Sequence, residues 1–541
     1  MKRRELLRAS TAVPAVAAGS LAEAEARNKN RDKHKNRKDR RKKRRKDRNK
    51  GGGGGKRDVS GMNVLVFITD QERAIMHFPR GWEAENMPAA TRLRRHGLTF
   101  NQAFCNACMC SPSRATLLTG YFPAQHGVKD TLEENMPDDQ FPQTPLPLDL
   151  PNLGTVMSAA GYSVPYKGKW HLSKPIVQDW TPEVVNQYGF ERWNPPDAGA
   201  NQDLDQFGGG DADNDGRYMD DDGPAPVGKE GVIEYLKSDA AKQEPFFLIV
   251  SLVNPHDVLA YPKTYEEGGY HHSDTNGDIE LPQTVDEDLS TKPTAQRQFL
   301  AISNLGLGPL ENDEQKREYL NFYGNLMIES DKYLEDILDT LEHEELLDTT
   351  IVIKTSDHGE MGVAHGGQRQ KMFNFYEETL RVPLTFSNPK LYPKPLSSNA
   401  MVSHVDFLPT MASLFKAPSS ARADWEGRDY SRLILDPKKK GVQDYVAFTY
   451  DDSFAGQPTG PYVQPPQHII SIREQRYKLA KYYDPDGNEP EQWEMYDLKH
   501  DPLEVRNLAA PGVKRNKKQE QAYRRLKARL AEVERERLQP L

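Results

Sequence analysis

Asn63-Val-Leu-Val-Phe-Ile-Thr-Asp70 is an unbroken β-rich apolar run that ends on a carboxylate. Without polar alternation it fits a strand buried on both faces, as in a parallel sheet covered by helices. Three further runs repeat the pattern, Phe246 to Val253, Thr350 to Lys354 and Val382 to Phe386. Between them Leu320, Tyr323, Met327, Leu334, Ile337, Leu338 and Leu341 recur at the spacing of an amphipathic helix. Strands alternating with helices predict an α/β fold with a mostly parallel central sheet. Such sheets bind ligands beyond the carboxyl ends of their strands.

Polar residues cluster at those ends: Asp70-Gln71, then Asn254-Pro255-His256-Asp257, then Thr355-Ser356-Asp357-His358-Gly359-Glu360. Three clusters after three strands predict one assembled site. Beyond about Pro389 the character changes. Ser471 to Leu508 reads as antiparallel strands around a Pro/Gly turn, and Lys514 to Leu538 as a charged helix that packs Leu526, Leu530 and Val533 on the domain. The expected division is a catalytic domain over 58–390 and a C-terminal subdomain over 391–541.

The chain has 541 residues, 36% hydrophobic and 28% charged, with 3 Cys. That excludes a disulfide scaffold, a collagen-like chain and a multispanning membrane protein. Its net charge of -8 hides two opposed parts: subtracting +1 for residues 1–26 and +15 for residues 27–57 leaves -24 for residues 58–541. Arg3-Arg4 ahead of a mildly apolar Ala/Val stretch, with Ala22, Ala24 and Ala26 as small cleavage-site residues, resembles a twin-arginine export signal over 1–26. The protein is therefore expected to engage that export machinery and to reside outside the cytoplasm, in the periplasm, at the cell surface or free. Residues 27–57, Lys/Arg-rich and ending in a poly-Gly hinge, read as a disordered linker. The linker either contacts an anionic surface or is a solvated spacer; nucleic acid is not an expected partner.

Cys110-Ser111-Pro112-Ser113-Arg114-Ala115-Thr116-Leu117-Leu118-Thr119-Gly120 predicts a short helix with Pro112 in its first turn and Gly120 at its end. Cys110 at the N-terminus is either a thiolate of lowered pKa or a buried inert thiol. The run C-x-P-S-R followed by T-G resembles the signature of the type I sulfatases of the alkaline phosphatase superfamily. Further motifs extend the resemblance: Gly161-Tyr162-Ser163 through Gly168-Lys169-Trp170-His171; Thr355 to Glu360 with His365-Gly366, Lys371, Tyr376-Glu377-Glu378 and Arg381-Val382-Pro383; Ser403-His404-Val405-Asp406 with Pro409-Thr410; and Glu494 to Leu508.

The resemblance implies an alkaline-phosphatase-like sandwich, a large mixed sheet flanked by helices plus a smaller C-terminal antiparallel sheet. It also implies a sulfuric ester hydrolase acting on a sulfate ester. Cys110 would be oxidised to Cα-formylglycine by a separate formylglycine-generating enzyme and become the nucleophile. One divalent cation would be held by Asp70, Gln71, Cys110, Asp357 and His358; calcium suits the oxygen-rich set, with manganese or magnesium as alternatives. Arg114 would hold the nucleophile, Asp357 help deprotonate it, Lys169 and Lys371 neutralise the ester oxygens, His256 protonate the leaving alcohol and His171 accept a proton during sulfate release. Gln71 and His358 depart from the commonest family pattern of Asp-Asp and Asp-Asn. They resemble the phosphonate monoester and phosphodiester hydrolases of the same superfamily, which makes a phosphorus ester the alternative substrate. An inactive, polyanion-binding secreted protein is a further alternative.

Two weaker patterns remain. Cys105, Cys108 and Cys110 spaced C-x2-C-x-C raise zinc without a second ligand pair. Asp211 to Gly216 with Asp222 matches a calcium loop without the usual terminal Glu, or else forms an acidic surface insertion. For the leader, Arg3→Lys with Arg4→Lys is expected to trap the protein in the cytoplasm, read by fractionation of the producing cells. Unchanged secretion would overturn the twin-arginine route.

Overall fold

The computed structural model describes residues 58–74, 77–133, 143–175, 180–200, 203–220, 230–455, 457 and 459–541. The expected export signal, the basic linker and Asp222 lie outside them. A seven-stranded sheet is built from β1 (Asn63–Thr69), β2 (Gly97–Phe104), β3 (Tyr166–Gly168), β4 (Phe247–Ser251), β5 (Thr350–Ser356), β6 (Leu384–Ser387) and β7 (Leu396–Ser403), in the order β3-β4-β1-β5-β6-β2-β7. β1 lies parallel to both β4 and β5, β3 pairs parallel with β4 and β2 with β7. β6 runs antiparallel to β5 and β2, so the sheet is mixed and mostly parallel. It takes in β7 from beyond residue 390.

Every residue of β1, β4 and β5 is buried. Val64, Val66 and Ile68 share one core with Phe247, Ile249, Ile351 and Ile353; Leu65 and Phe67 share the opposite one with Leu248, Val250 and Val352. Both faces are therefore apolar, and each fully buried aliphatic side chain contributes about 1.5–3 kcal/mol. The helix Asp313–His343 covers the second face with Leu334, Ile337, Leu338 and Leu341. Asn312 caps it by accepting from the Gln315 amide, and Asp313 and Glu314 complement the positive end of its dipole. The apolar run expected from Val382 forms a strand only from Leu384. Pro383 has no N–H to give to a ladder.

A second sheet of β8 (Tyr445–Tyr450), β9 (His468–Glu474), β10 (Tyr477–Tyr483) and β11 (Gln492–Asp497) is antiparallel throughout, in the order β11-β10-β9-β8. The helix Lys517–Arg537 packs Leu526, Leu530 and Val533 on Ile470, Ile472, Leu479 and Met495 of this sheet. Its capping residue is Asn516, which sets the start three residues after Lys514. Val59–Leu541 forms one compact unit. Among the described residues no helix is long and apolar enough to cross a membrane.

A buried ion network lies beside a further apolar cluster that includes Phe373, Phe375, Tyr376 and Tyr496. His365 Nδ1 meets Glu287 Oε2 at 2.6 Å, its ring stacks on Tyr376 at 3.6 Å, and Lys292 Nζ stands 2.9 Å from the other Glu287 oxygen. Burial pulls the imidazole down, but its pairing with Glu287 and Glu378 wins and holds it at about 9, above the ordinary 6.5. A pKa raised by folding gives stability that is fully present below about 6.5 and lost as pH rises through about 9, worth about 3 kcal/mol for a shift of this size. Urea unfolding at pH 7 and pH 10 should register that loss, and His365→Asn should flatten it. An H365N profile parallel to the wild-type one would count against the pairing.

Candidate functional site

The pairing of β1 with β5 sets Thr69 opposite Ser356, so the next residues, Asp70 and Asp357, leave the sheet side by side. Both are fully buried. The helix Cys110–Thr119 begins beside them and closes at Gly120, whose φ of 74° and tight approach to Trp425 and Pro409 require glycine. Ser113 fastens the helix by donating from Oγ to the Asp357 carbonyl at 2.5 Å. Cys110 Sγ comes to 3.3 Å from His358 Nε2 and 3.7 Å from Asp70 Oδ1. Ligand atoms of Asp70, Cys110, Asp357 and His358 all lie within 4.8 Å of one another.

Arg114, one turn into the helix, braces the two carboxylates. Its Nε donates to Asp357 Oδ2 at 3.0 Å and its Nη2 to Asp70 Oδ2 at 3.1 Å, while Nη1 donates to the Lys169 carbonyl and to Ser251 Oγ. Lys169 Nζ donates to Asp70 Oδ2 and to the Gly199 carbonyl, each at 2.5 Å. Burial opposes the charge on Asp70, yet Lys169 and Arg114 hold its carboxyl well below the usual range.

The same surroundings act oppositely on the cysteine. Burial first, then Asp70, push the Cys110 thiol up to about 11 against the pull of Lys169 and Lys371. The helix terminus does not produce a thiolate of lowered pKa, which corrects that expectation: as a free thiol Cys110 stays protonated near neutral pH.

The three histidines are neutral for one shared reason, burial, reinforced by the lysines. His358 Nδ1 pairs with the Gly359 carbonyl at 3.0 Å, which turns the Nε2 lone pair toward the cluster. His171, in the left-handed region at φ 55°, gives Nε2–H to the Leu132 carbonyl at 2.7 Å. Its Nδ1 is buried without a hydrogen-bond partner and is free to accept a proton. His256 is buried within the field of Asp70, Lys169 and Lys371.

Gln71 stands next to the four clustered ligands with its amide already engaged. Its Oε1 accepts from Lys371 Nζ at 2.7 Å and its Nε2 donates to Glu360 Oε2 at 2.7 Å. The other Glu360 oxygen is held by Tyr319 and the amides of Gly362 and Gln370, so Glu360 sets which way the Gln71 amide faces.

Neither weaker pattern forms the site it suggested. Cys105 and Cys108 direct their sulfurs to the carbonyls of Thr379 and Lys371, and among the described residues only Cys110 of the three joins a metal-type cluster. Asp213 caps the helix Asn214–Met219 and Asp215 turns inward to backbone amides, so among the described residues these acids gather no metal-type cluster; Asp211 and Asp220 are exposed. Sequence reasoning also missed Glu133. Burial and Asp452 push its carboxyl well above the usual range, and it lies within the field of Cys110, Lys169 and Lys371. No motif marks it; its only signal is an acid near the cysteine helix.

Arg114→Met would leave two buried carboxylates short of their shared cation and is expected to cost about 3–5 kcal/mol by thermal or urea unfolding. Added Ca2+ or Mn2+ should raise the melting temperature of R114M more than that of wild type. An unchanged melting temperature in R114M would contradict the brace.

The Sulfatase family model matches residues 62–417, and the model for the C-terminal region of N-sulphoglucosamine sulphohydrolase matches residues 366–536. The chain is 27% identical over 428 residues to a Delta 4,5-hexuronate-2-O-sulfatase of Bacteroides thetaiotaomicron, covering 76% of this chain and 77% of that one. It is 24% identical over 510 residues to an N-acetylglucosamine-6-O-sulfatase of the same organism, covering 84% and 83%. Its fold matches a phosphonate monoester hydrolase from Silicibacter pomeroyi with a TM-score of 0.63 at 20% identity, covering 88% and 96%. With a family model spanning both carboxylates, the cysteine helix and the histidine strand ends, the chain belongs to the sulfatase family of the alkaline phosphatase superfamily and is a sulfuric ester hydrolase.

Proposed function

We propose that this is an exported sulfatase that hydrolyses a sulfate ester with a Cys110-derived formylglycine nucleophile and one divalent cation. The observation that carries the reading is the convergence of Asp70, Cys110, Asp357 and His358 with ligand atoms within 4.8 Å, beside Arg114 and Lys169. The donor set fits a divalent cation: two ionised oxygens, an imidazole nitrogen aimed inward and the residue that would carry the nucleophilic oxygen. Bound there, the cation would polarise the ester and favour the ionised nucleophile. As formylglycine hydrate, residue 110 would supply one hydroxyl to attack sulfur and a second through which the sulfate is expelled.

The remaining work falls to this chain's side chains. Arg114 orients residue 110 by fixing both carboxylates that flank it. Lys169 and Lys371 offset the charge of the sulfate oxygens, where fixed donors in a dry site act most strongly. An anionic ester between the two lysines also offsets their pressure on His256, so that His256 can carry the proton it gives to the leaving alcohol. His171, with Nε2 tied to Leu132 and Nδ1 free, accepts the proton when sulfate leaves. Cys110 is 2% exposed and its helix is buried throughout, which supports conversion of the cysteine before the chain folds and export afterwards.

Gln71 and His358 favour a second reading, a phosphonate monoester or phosphodiester hydrolase on the same nucleophile, because an amide and an imidazole make the site less anionic. Both relatives reported by sequence are named for sugar sulfates, which supports a sulfated sugar as the first substrate to try. Rates on a sugar sulfate, 4-nitrophenyl sulfate, a phosphodiester and a phenyl phosphonate are expected to rank a sulfate first. A clear preference for either phosphorus ester defeats the sulfatase reading. Mass spectrometry of the Cys110 peptide from the native host should find the aldehyde; thiol alone defeats both enzymatic readings.

A further inference from the structure

The stretches 194–200 and 203–219 touch two of the site residues, Lys169 and His171, and the turn that leads to a third, His256. Asp197 receives the amides of Trp170 at 2.8 Å and His171 at 2.6 Å, one on each carboxylate oxygen. The Gly199 carbonyl accepts from Lys169 Nζ. Gly199 has φ 71°, and a Cβ there would come within 2.8 Å of Val253 and 3.1 Å of Lys169, so the close approach needs glycine. Asp215, 1% exposed, receives the amides of Val253 at 2.6 Å and Asn254 at 2.9 Å, at the turn that leads to His256.

The two contact points are tied together by one side chain. Arg217 donates to the carbonyls of Asn194 and Pro196 and, from the other side of its fork, to Asn214 Oδ1, with its guanidinium 4.3 Å above the Tyr218 ring. Burying two carboxylates and a guanidinium is costly unless each is matched by strong donors or acceptors. Here the two carboxylates are matched by backbone amides of the segments that lead to His171 and His256, and the guanidinium by carbonyls and one side chain of the stretch itself.

We propose that 194–200 and 203–219 form a positioning clamp in which Asp197 orients His171, Asp215 orients the turn carrying His256, and Arg217 keeps the two in register. Neither carboxylate belongs to the Asp70–Cys110–Asp357–His358 cluster; Asp197 acts through the backbone of His171, and Asp215 through the backbone just before His256. The proposal rests on the proton-transfer roles given above to His171 and His256. It makes the two ends of the clamp kinetically distinguishable, because His256 acts while the alcohol leaves and His171 acts after it has gone.

Full-length wild type, Asp215→Asn, Asp197→Asn and Arg217→Lys, matched for aldehyde content and melting temperature, are compared on a sugar sulfate and on 4-nitrophenyl sulfate. Nitrophenolate leaves without a proton and a sugar alkoxide does not. D215N is expected to lose about 10–100-fold in kcat on the sugar sulfate while staying within about threefold on the aryl sulfate, with KM shifted less than about threefold on both. D197N is expected to lose kcat equally on both, with sulfated enzyme accumulating in intact-mass spectra. Equal loss on both substrates in D215N, or no loss, overturns the proposal, as does a change confined to KM. Should D215N fail to fold, R217K, which keeps the charge and loses the fork, must still lose more on the sugar sulfate than on the aryl one; equal loss in it is equally fatal. A wild type inactive on both sulfates but active on phosphonate esters defeats the sulfatase reading alone, and the comparison is then made on phosphonate esters of the same two alcohols.

Discussion

Two carboxylates that must stand next to each other in a dry site set the terms for the rest of this protein. Asp70 and Asp357 follow paired residues of β1 and β5, and their ligand oxygens share a cluster no wider than 4.8 Å. At that separation two unit charges repel by about 3 kcal/mol even at an effective dielectric constant of 20, before any cost of burial. The fold answers with Arg114, whose planar fork reaches both acids from one helix, and with Lys169 on the outer oxygen of Asp70. A lysine at 114 could not span the two, because bidentate bracing needs the guanidinium geometry. The helix Cys110–Thr119 is therefore fixed with Arg114 over the acids and Cys110 at the cluster.

That arrangement also decides what residue 110 can be. Burial, with the charge of Asp70 beside it, outweighs the pull of Lys169 and Lys371, so the thiol holds its proton up to about 11. A helix N-terminus lowers a thiol pKa only where solvent and charge allow it, and here burial is the larger effect. The site thus suits an oxygen nucleophile that a cation can activate far better than it suits a thiolate. Its own charges, two acids against Arg114, Lys169 and Lys371, leave a local positive balance inside a chain that carries -24 over residues 58–541.

The parts of this fold that were legible in the sequence are those whose environment is uniform. β1, β4 and β5 are apolar on both faces and read as continuous runs. β2 and β7 mix exposed and buried positions and β3 is three residues long, so none of them stands out from loop composition. The site was legible for a related reason: Asp70, Asp357 and His358 follow those runs directly, and Cys110 and Arg114 share one helix turn within a recognisable motif. Gln71 follows Asp70 directly, but which way its amide faces is decided by Glu360, and Glu360 is fixed in turn by Tyr319 on the long helix. No local pattern contains that dependence.

Asp215 shows why the rest was hidden. Alternating acids at 211, 213 and 215 have the spacing of a calcium loop, and spacing constrains where carboxylates sit along the chain, not where they point. Asp215 points at amides 38 and 39 residues away, and Asp197 at amides 26 and 27 residues away. A backbone amide has the same identity at every residue, so a side chain that recognises one leaves no complementary letter elsewhere in the sequence. Contacts of this kind are specified by tertiary structure alone. They are also the contacts best suited to hold a strand end rigidly, since the amide cannot change rotamer. Residues that orient the chemistry can therefore be the least visible in sequence while those that perform it are the most visible.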